Sequence, residues 1–230
     1  MKRTIAFLIF LTLWIFPAPT WAWYDETHLA IAKAAGYEKW YNAAGADITK
    51  IKAGDAEQKN HFSNNPPGTI ISPEMVLEQA SRYNDPNDTP GHLYGAIIAS
   101  IREYRTTIRT GKYAEYHLAF CAHYVGDLSQ PLHNTLHDSF NKKVHVATDG
   151  IIEDEVLNNL SLIEIYPIKI ESETDLPREI ARIANLSTNL GYQLEKENRM
   201  LTKEEAYRQI SHSASLFKGI LNWLKTEPKE

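Results

Sequence analysis

The chain has 230 residues, with 24 Lys and Arg against 29 Asp and Glu, a formal charge of −5. That length suits one domain with one core, and the acidic balance argues against non-specific nucleic-acid binding through a basic surface. Cys121 is the lone cysteine, which excludes an intrachain disulfide framework and leaves the fold to core packing and any bound metal.

The amino end reads as a secretory leader over residues 1–22. Met1-Lys2-Arg3 is a short basic region, Thr4 to Phe16 is nearly unbroken apolar sequence, and Thr20 and Ala22 supply the small residues a signal peptidase accepts. The apolar run is too short to span a bilayer comfortably. Cleavage after Ala22 is expected to give a mature domain, 23–230, that is secreted or periplasmic. Losing Lys2 and Arg3 leaves 22 basic against 29 acidic residues, a formal charge of −7. The mature chain would begin at Trp23. A free α-amine, with a pKa near ~8, can ligate a nearby cation together with its own carbonyl once deprotonated. The alternative is that Trp23 simply packs at the start of a helix.

Helical periodicity then recurs along the chain. Residues 27–37 place Leu29, Ile31, Ala32 and Ala35 at helical intervals. Loops are expected at 62–71 and 84–91, both rich in Asn, Pro and Gly. Ser72-Pro73 opens a helix as N-cap and first-turn proline. Gly91 to Thr110 carries Leu93, Ala96, Ile97, Ile101, Tyr104 and Ile108 in a 3.6-residue stripe. Helices are also predicted over Tyr113 to Leu128, Ile151 to Ile163 and Leu176 to Leu190. Thr202 and Glu205 form a capping box that opens a last helix through Leu224. Residues 163–170 alternate like a short strand, which Pro167 weakens. The expected fold is all-α and single-domain.

The chemistry concentrates in His123-Tyr124-Val125-Gly126-Asp127-Leu128-Ser129-Gln130-Pro131-Leu132-His133. His123 and Asp127 are four apart, so a helix projects both from one face. Pro131 ends or bends that helix, and His133 arrives from the turn beyond. Imidazole and carboxylate without thiolate suit zinc or a similar divalent ion in a catalytic site. Cys121, in Ala119-Phe120-Cys121-Ala122, reads as a small buried residue and not as a nucleophile.

This stretch resembles the signature H-Y-x-G-D-x-x-Q-P-x-H of secreted bacterial zinc-dependent phospholipases C, which share their fold and three-zinc site with the single-strand-specific zinc nucleases of fungi and plants. The resemblance runs along most of the mature chain in the same order. It implies a trinuclear zinc site. Trp23 (amine and carbonyl) and His28 would hold one ion, with Asp127 bridging to a second. Asp55 and His61, with His123 and Asp127, would complete the second; His133, His145 and Asp149 would hold the third. Some departures stand beside it. The interval from Asp55 to His61 is shorter than in the phospholipases, and Asn134-Thr135-Leu136 replaces the usual small residue and downstream Asn. The step from Trp23 to His28 is nuclease-like, whereas Tyr124, the short run from His133 to His145 and the lack of paired cysteines are phospholipase-like.

Each ligand has a plainer alternative. Asp55 after Gly54 can be a helix cap, His61 a loop residue, and Asp149-Gly150 an ordinary turn with Glu153 as substitute ligand. His137, four after His133, can pair with it in place of His145. His92, His117 and His212 lack a partner at ligand spacing and read as structural or exposed. Tyr94, Tyr104, Tyr113, Tyr116 and Tyr124 read as packing between helices, with one or two at a substrate cleft.

Such a cluster suits hydrolysis of a phosphodiester. Two ions bridged by a carboxylate, about 3.5–4 Å apart, clamp phosphoryl oxygens and lower the pKa of a shared water; the third neutralises the leaving oxygen. Asp55 is the expected catalytic carboxylate, and Glu57 a weaker candidate. The expected substrate is a phospholipid at a membrane surface, cleaved to diacylglycerol and a phosphorylated head group. Single-stranded nucleic acid is the alternative substrate, and a non-catalytic zinc-binding helical protein is the third reading.

Overall fold

A computed structural model describes residues 23–226, so the expected leader and its cleavage point lie outside the described residues. Among the described residues nine α-helices follow in order: α1 (Asp25–Ala34), α2 (Gly45–Ala53), α3 (Asp55–Gln58), α4 (Pro73–Gln79), α5 (Leu93–Arg109), α6 (Glu115–Ser129), α7 (Ser139–Asp149), α8 (Asp175–Glu197) and α9 (Lys203–Thr226). Short 3₁₀ turns connect several of them, including Pro131–Asn134 directly after α6. No strand occurs among the described residues, and the protein is all-α.

Local chemistry sets the helix ends. Ser72 Oγ accepts a hydrogen bond from the Met75 amide at 3.3 Å, with Pro73 at the first helical position, as the sequence predicts for α4. At α9 the capping box is reciprocal: the Glu205 amide donates to Thr202 Oγ1 at 3.2 Å, and the Thr202 amide donates to Glu205 Oε2 at 3.0 Å. Pro131 closes α6. Gln130 turns extended, and its side-chain oxygen accepts from the Leu132 amide to start the turn that carries His133.

Two expected elements are corrected. Residues 151–163 form no α-helix, only the 3₁₀ turns Val156–Asn158 and Leu160–Leu162. The alternating stretch at 163–170 is not a strand. It lies extended against α9, where the Glu164 and Tyr166 amides donate to Ser211 Oγ at 2.9 Å and Ser215 Oγ at 2.7 Å. Serine hydroxyls satisfy those amides in place of a neighbouring strand.

Helix α6 occupies the centre, with α1, α2, α5, α8 and α9 packed around it. Twelve of its 15 residues are buried, so beyond its first turn it has no solvent-facing side for its polar groups. Leu118, Cys121, Val125 and Leu128 join Ile97, Ile101, Ile180 and Phe217 in the main core. A second cluster gathers Trp23, Ile31, Ile152, Leu194, Tyr207 and Ile210 where the chain entering α1 meets the ends of α8 and α9. Where α1 crosses α6 the approach is very close. A Cβ on Gly126 would lie 2.4 Å from Nδ1 of His28, so only glycine lets that imidazole reach the face carrying His123 and Asp127.

Candidate metal centre

Six segments deliver side chains to one buried locus. His28 comes from α1, Asp47 from α2, His61 from the segment after α3, His123 and Asp127 from α6, His133 from the turn after Pro131, and His145 and Asp149 from α7. All are buried, the most exposed being His145 at 6%. They fall into three groups that could each hold an ion: His28, His123 and Asp127; Asp47, His61 and His123; and His133, His145 and Asp149.

Asp127 ties the groups together. Its Oδ1 lies 3.4 Å from His28 Nε2, while its Oδ2 lies 2.9 Å from His61 Nδ1 and 3.4 Å from His123 Nε2. In the second group, Asp47 Oδ1 stands 3.8 Å from His61 Nδ1 and 3.7 Å from His123 Nε2, and those two nitrogens are 3.2 Å apart. In the third, His133 Nε2 and His145 Nε2 are 3.1 Å apart, with Asp149 Oδ2 3.4 Å from the latter. Tetrahedral zinc with bonds of about 2.0–2.1 Å needs donors about 3.3–3.4 Å apart. The observed separations bracket that value.

The hydrogen bonds behind the histidines fix which nitrogen faces inward. His123 Nδ1–H donates to the Ala43 carbonyl at 2.9 Å, and His133 Nδ1–H to the His61 carbonyl at 2.6 Å. His145 Nδ1–H donates to Asn141 Oδ1 at 2.6 Å, and Asn141 is itself oriented by donating to the Leu132 carbonyl at 2.7 Å. Carbonyl oxygens only accept, so each Nε2 is bare. Two bare Nε2 atoms 3.1 Å apart in His133 and His145 cannot hydrogen-bond each other. A cation between them resolves that contact, and outer acceptors of this kind characterise metal-bound imidazoles.

Protonation follows the same logic. Burial, aided by the neighbouring His28, lowers the His123 pKa to about 3; burial lowers that of His133 to about 4. Burial also holds His145 well below its ordinary value. Burial alone would raise the Asp47 carboxyl, but His123, His61 and Lys50 outweigh it and bring it to about 2. Asp149 is pushed well above the usual carboxylate range by burial and by Asp127 and Asp47, against the hydrogen bond it accepts from Gln130. Neutral His123, His133 and His145 with an ionised Asp47 are already in the protonation state that ligation requires. Burial pulls the His61 pKa down, but Asp127 and Glu57 outweigh it and raise it, so His61 and Asp149 would each release a proton on binding a cation. Both nitrogens of His28, Oδ2 of Asp47, Oδ1 of Asp127 and Oδ2 of Asp149 are buried without a hydrogen-bond partner, and Asp47 Oδ1 faces the Lys50 ammonium at 2.7 Å. Leaving that many buried polar atoms bare is costly unless cations join them. The residues therefore fit divalent ions with nitrogen and oxygen ligands.

Asp55 requires a correction. It is exposed at the start of α3 and joins none of the three groups, while Asp47 stands among His61 and His123. The resemblance sets Asp55 beside His61, and their six-residue interval followed by Phe62 supports it. Two helical turns of α2, absent from that reading, carry Asp47 inward instead, and its pairing with Lys50 at 2.7 Å marks the inward face. The shortened interval to His61 then no longer bears on the site.

The other expected residues divide clearly. Trp23 is fully buried in the second core cluster at the head of α1. Glu153 is engaged elsewhere, accepting from the Glu26 and Thr27 amides at 2.7 and 3.1 Å at the start of α1, so Asp149 stands in the third group and Glu153 does not. His137 is exposed, with its ring 6.1 Å from that of His145. His92 does have a carboxylate partner, Asp88 at 2.8 Å four residues before it, but its other nitrogen faces Asn60 and it belongs to a hydrogen-bonded network.

A cleft of about 230 Å³ opens onto the groups. His61, His133 and His145 reach it from within, Lys50, Lys59 and His137 bring positive or protonatable groups, and Phe62 and Leu132 give it apolar wall. None of the five tyrosines singled out above lines it; Tyr94 and Tyr124 are fully buried, and Tyr113 and Tyr116 are exposed. No protein-family model matches the chain, and no curated protein matches it.

Proposed function

We propose that the protein is a zinc-dependent phosphodiester hydrolase of the phospholipase C type. The observation that carries the reading is the convergence of three buried His/Asp groups, the first two joined at Asp127, on a cleft edged by lysines. Zinc bound there would supply Lewis acidity toward phosphoryl oxygens and an activated water. Lys50 and Lys59 draw a phosphodiester anion into the cleft, and Asp127 holds neighbouring groups in register. Asp47 takes over the catalytic-carboxylate role expected of Asp55. Phe62 and Leu132 offer apolar contact to an acyl chain or glycerol. Export through the leader at 1–22 belongs to the same proposal; among the described residues no helix is long and apolar enough to cross a membrane.

One observation favours a second reading, a single-strand-specific nuclease. Phe62 lies at the cleft with Lys59 Nζ 5.5 Å from its ring centre, a pairing that suits a stacked base beside its phosphate. Tyr124, which spoke for the phospholipase in sequence, is turned away from the cleft and does not choose between them. A purely structural zinc protein would keep closed coordination; a cleft reaching three ligand histidines speaks for turnover. The mature protein, stripped with chelator and reloaded with zinc, is to be incubated with phosphatidylcholine vesicles and with denatured DNA. Zinc-dependent release of phosphocholine is expected. Cleavage of DNA alone moves the assignment to the nuclease, and full activity after exhaustive chelation ends the metal mechanism.

A further inference from the structure

Among the histidines of the second and third groups, His61 is held differently. His123, His133 and His145 each turn Nε2 inward and tether Nδ1–H to an oxygen behind the ring. His61 instead turns Nδ1 toward Asp127 and His123, so its rear nitrogen is Nε2, which is buried with no hydrogen-bond partner. Glu57 stands behind it, four residues earlier, with Oε1 3.4 Å from that nitrogen. Glu57 is 4% exposed and is braced on both oxygens: Tyr124 Oη–H donates to Oε1 at 2.6 Å, and Asn60 Nδ2 donates to Oε2 at 3.1 Å. A buried carboxylate needs such partners, and this one is aimed at the one imidazole of the second and third groups that lacks a rear acceptor.

We propose that Glu57 is the positioning residue of His61, accepting Nε2–H so that Nδ1 stays bare toward the second group, with Tyr124 and Asn60 fixing the carboxylate. This rests on the metal reading above. It also explains the tyrosine of the signature run: Tyr124 follows His123 and so points to the opposite side of His61, where it braces Glu57. The brace continues outward. Asn60 Oδ1 lies 2.8 Å from His92 Nε2, and His92 Nδ1 lies 2.8 Å from Asp88, placing the loop at 84–91 in the same network as His61. That loop lines the cleft at Thr89.

The test compares Glu57→Leu, Glu57→Gln and Tyr124→Phe with the wild-type mature protein. Zinc affinity is measured ion by ion in chelator competition, and the imidazole N–H proton resonances are recorded on the zinc-loaded protein. Loss of an outer-shell partner typically weakens a metal by about 10–100-fold. Glu57→Leu should weaken one ion by that factor, leave the other ions within about 2-fold, and lose a slowly exchanging Nε2–H signal. Glu57→Gln, which keeps an acceptor oxygen, should restore most of the affinity, and Tyr124→Phe should weaken the same ion by less. Tyr124→Phe and Glu57→Gln carry the test should Glu57→Leu not fold. Unchanged affinity in all variants, or equal weakening of every ion, overturns the proposal. A wild-type protein that binds no zinc defeats the metal reading itself, a different result from zinc that these variants do not loosen.

Discussion

Exchanging Asp47 and Asp55 in turn for asparagine separates the site as folded from the site as first read in sequence. Asp47 is 1% exposed, with Oδ1 3.7–3.8 Å from the inward nitrogens of His123 and His61; Asp55 is exposed. Because outer partners alone cost about 10–100-fold in metal affinity, loss of an anionic donor in the group itself should cost at least about 100-fold. At free zinc near 100 times the wild-type dissociation constant, one ion stabilises the fold by about 2.7 kcal/mol; after a 100-fold loss it contributes only about 0.4 kcal/mol. For a domain of this size, about 2–4 °C per kcal/mol, the zinc-induced rise in Tm should be about 5–9 °C smaller in Asp47→Asn than in the wild type. Asp55→Asn should shift stability by no more than about 0.5 kcal/mol and leave the zinc response intact. Melting the zinc-free proteins in parallel separates the lost contact to Lys50 from the lost ion. A zinc response abolished in Asp55→Asn and preserved in Asp47→Asn would refute the assignment.

Gly126→Ala should gain up to about 1 kcal/mol of helix propensity yet lose more to the clash with the His28 ring, for a net cost of about 1–2 kcal/mol. Because that ring is stacked on His123 at 3.7 Å and cannot swing aside freely, bound zinc measured by elemental analysis should fall by one ion; full stoichiometry would contradict the geometry. Hydrogen bonds from Arg199 lower the Glu205 pKa from 4.5 to about 2. A depressed carboxyl pKa stabilises the fold above about pH 4.5, and the contribution is lost as pH falls toward about 2. Solvent screening of this surface pair reduces it to about 1 kcal/mol. Glu205→Gln, which keeps the capping box, should be less stable than wild type by about that amount at pH 7, with the gap closing by pH 2 in denaturant titrations; a gap that does not vary with pH would remove Arg199 as its cause.

Helix positions were largely legible because the longer helices advertise themselves. The stripe from Leu93 to Ile108 became α5, Ser72-Pro73 opened α4, and Thr202 with Glu205 opened α9. Helices with neither a stripe nor a marked start were not legible: α2 and α3 have weak periodicity and no side-chain cap, and α7, although Asp138 caps it, was signalled only by the pair His145 and Asp149. The stretch at 151–163 looked helical by composition but is organised around Glu153 capping α1, a contact across 126–127 residues that local pattern does not contain.

The sequence by itself determined the all-helical class and the donors of the signature run, because i, i+4 spacing on a helix is a geometric identity between residue number and direction. It also determined that those donors would be imidazole and carboxylate, hence suited to a hard or borderline cation. Only the tertiary structure decided that Asp47 and not Asp55 faces His61 and His123, that Glu153 caps a helix while Asp149 turns inward, and that Tyr124 braces Glu57. Each of those choices depends on how one helix is rotated against another, and rotation is set by the packing of distant side chains, which no local spacing encodes.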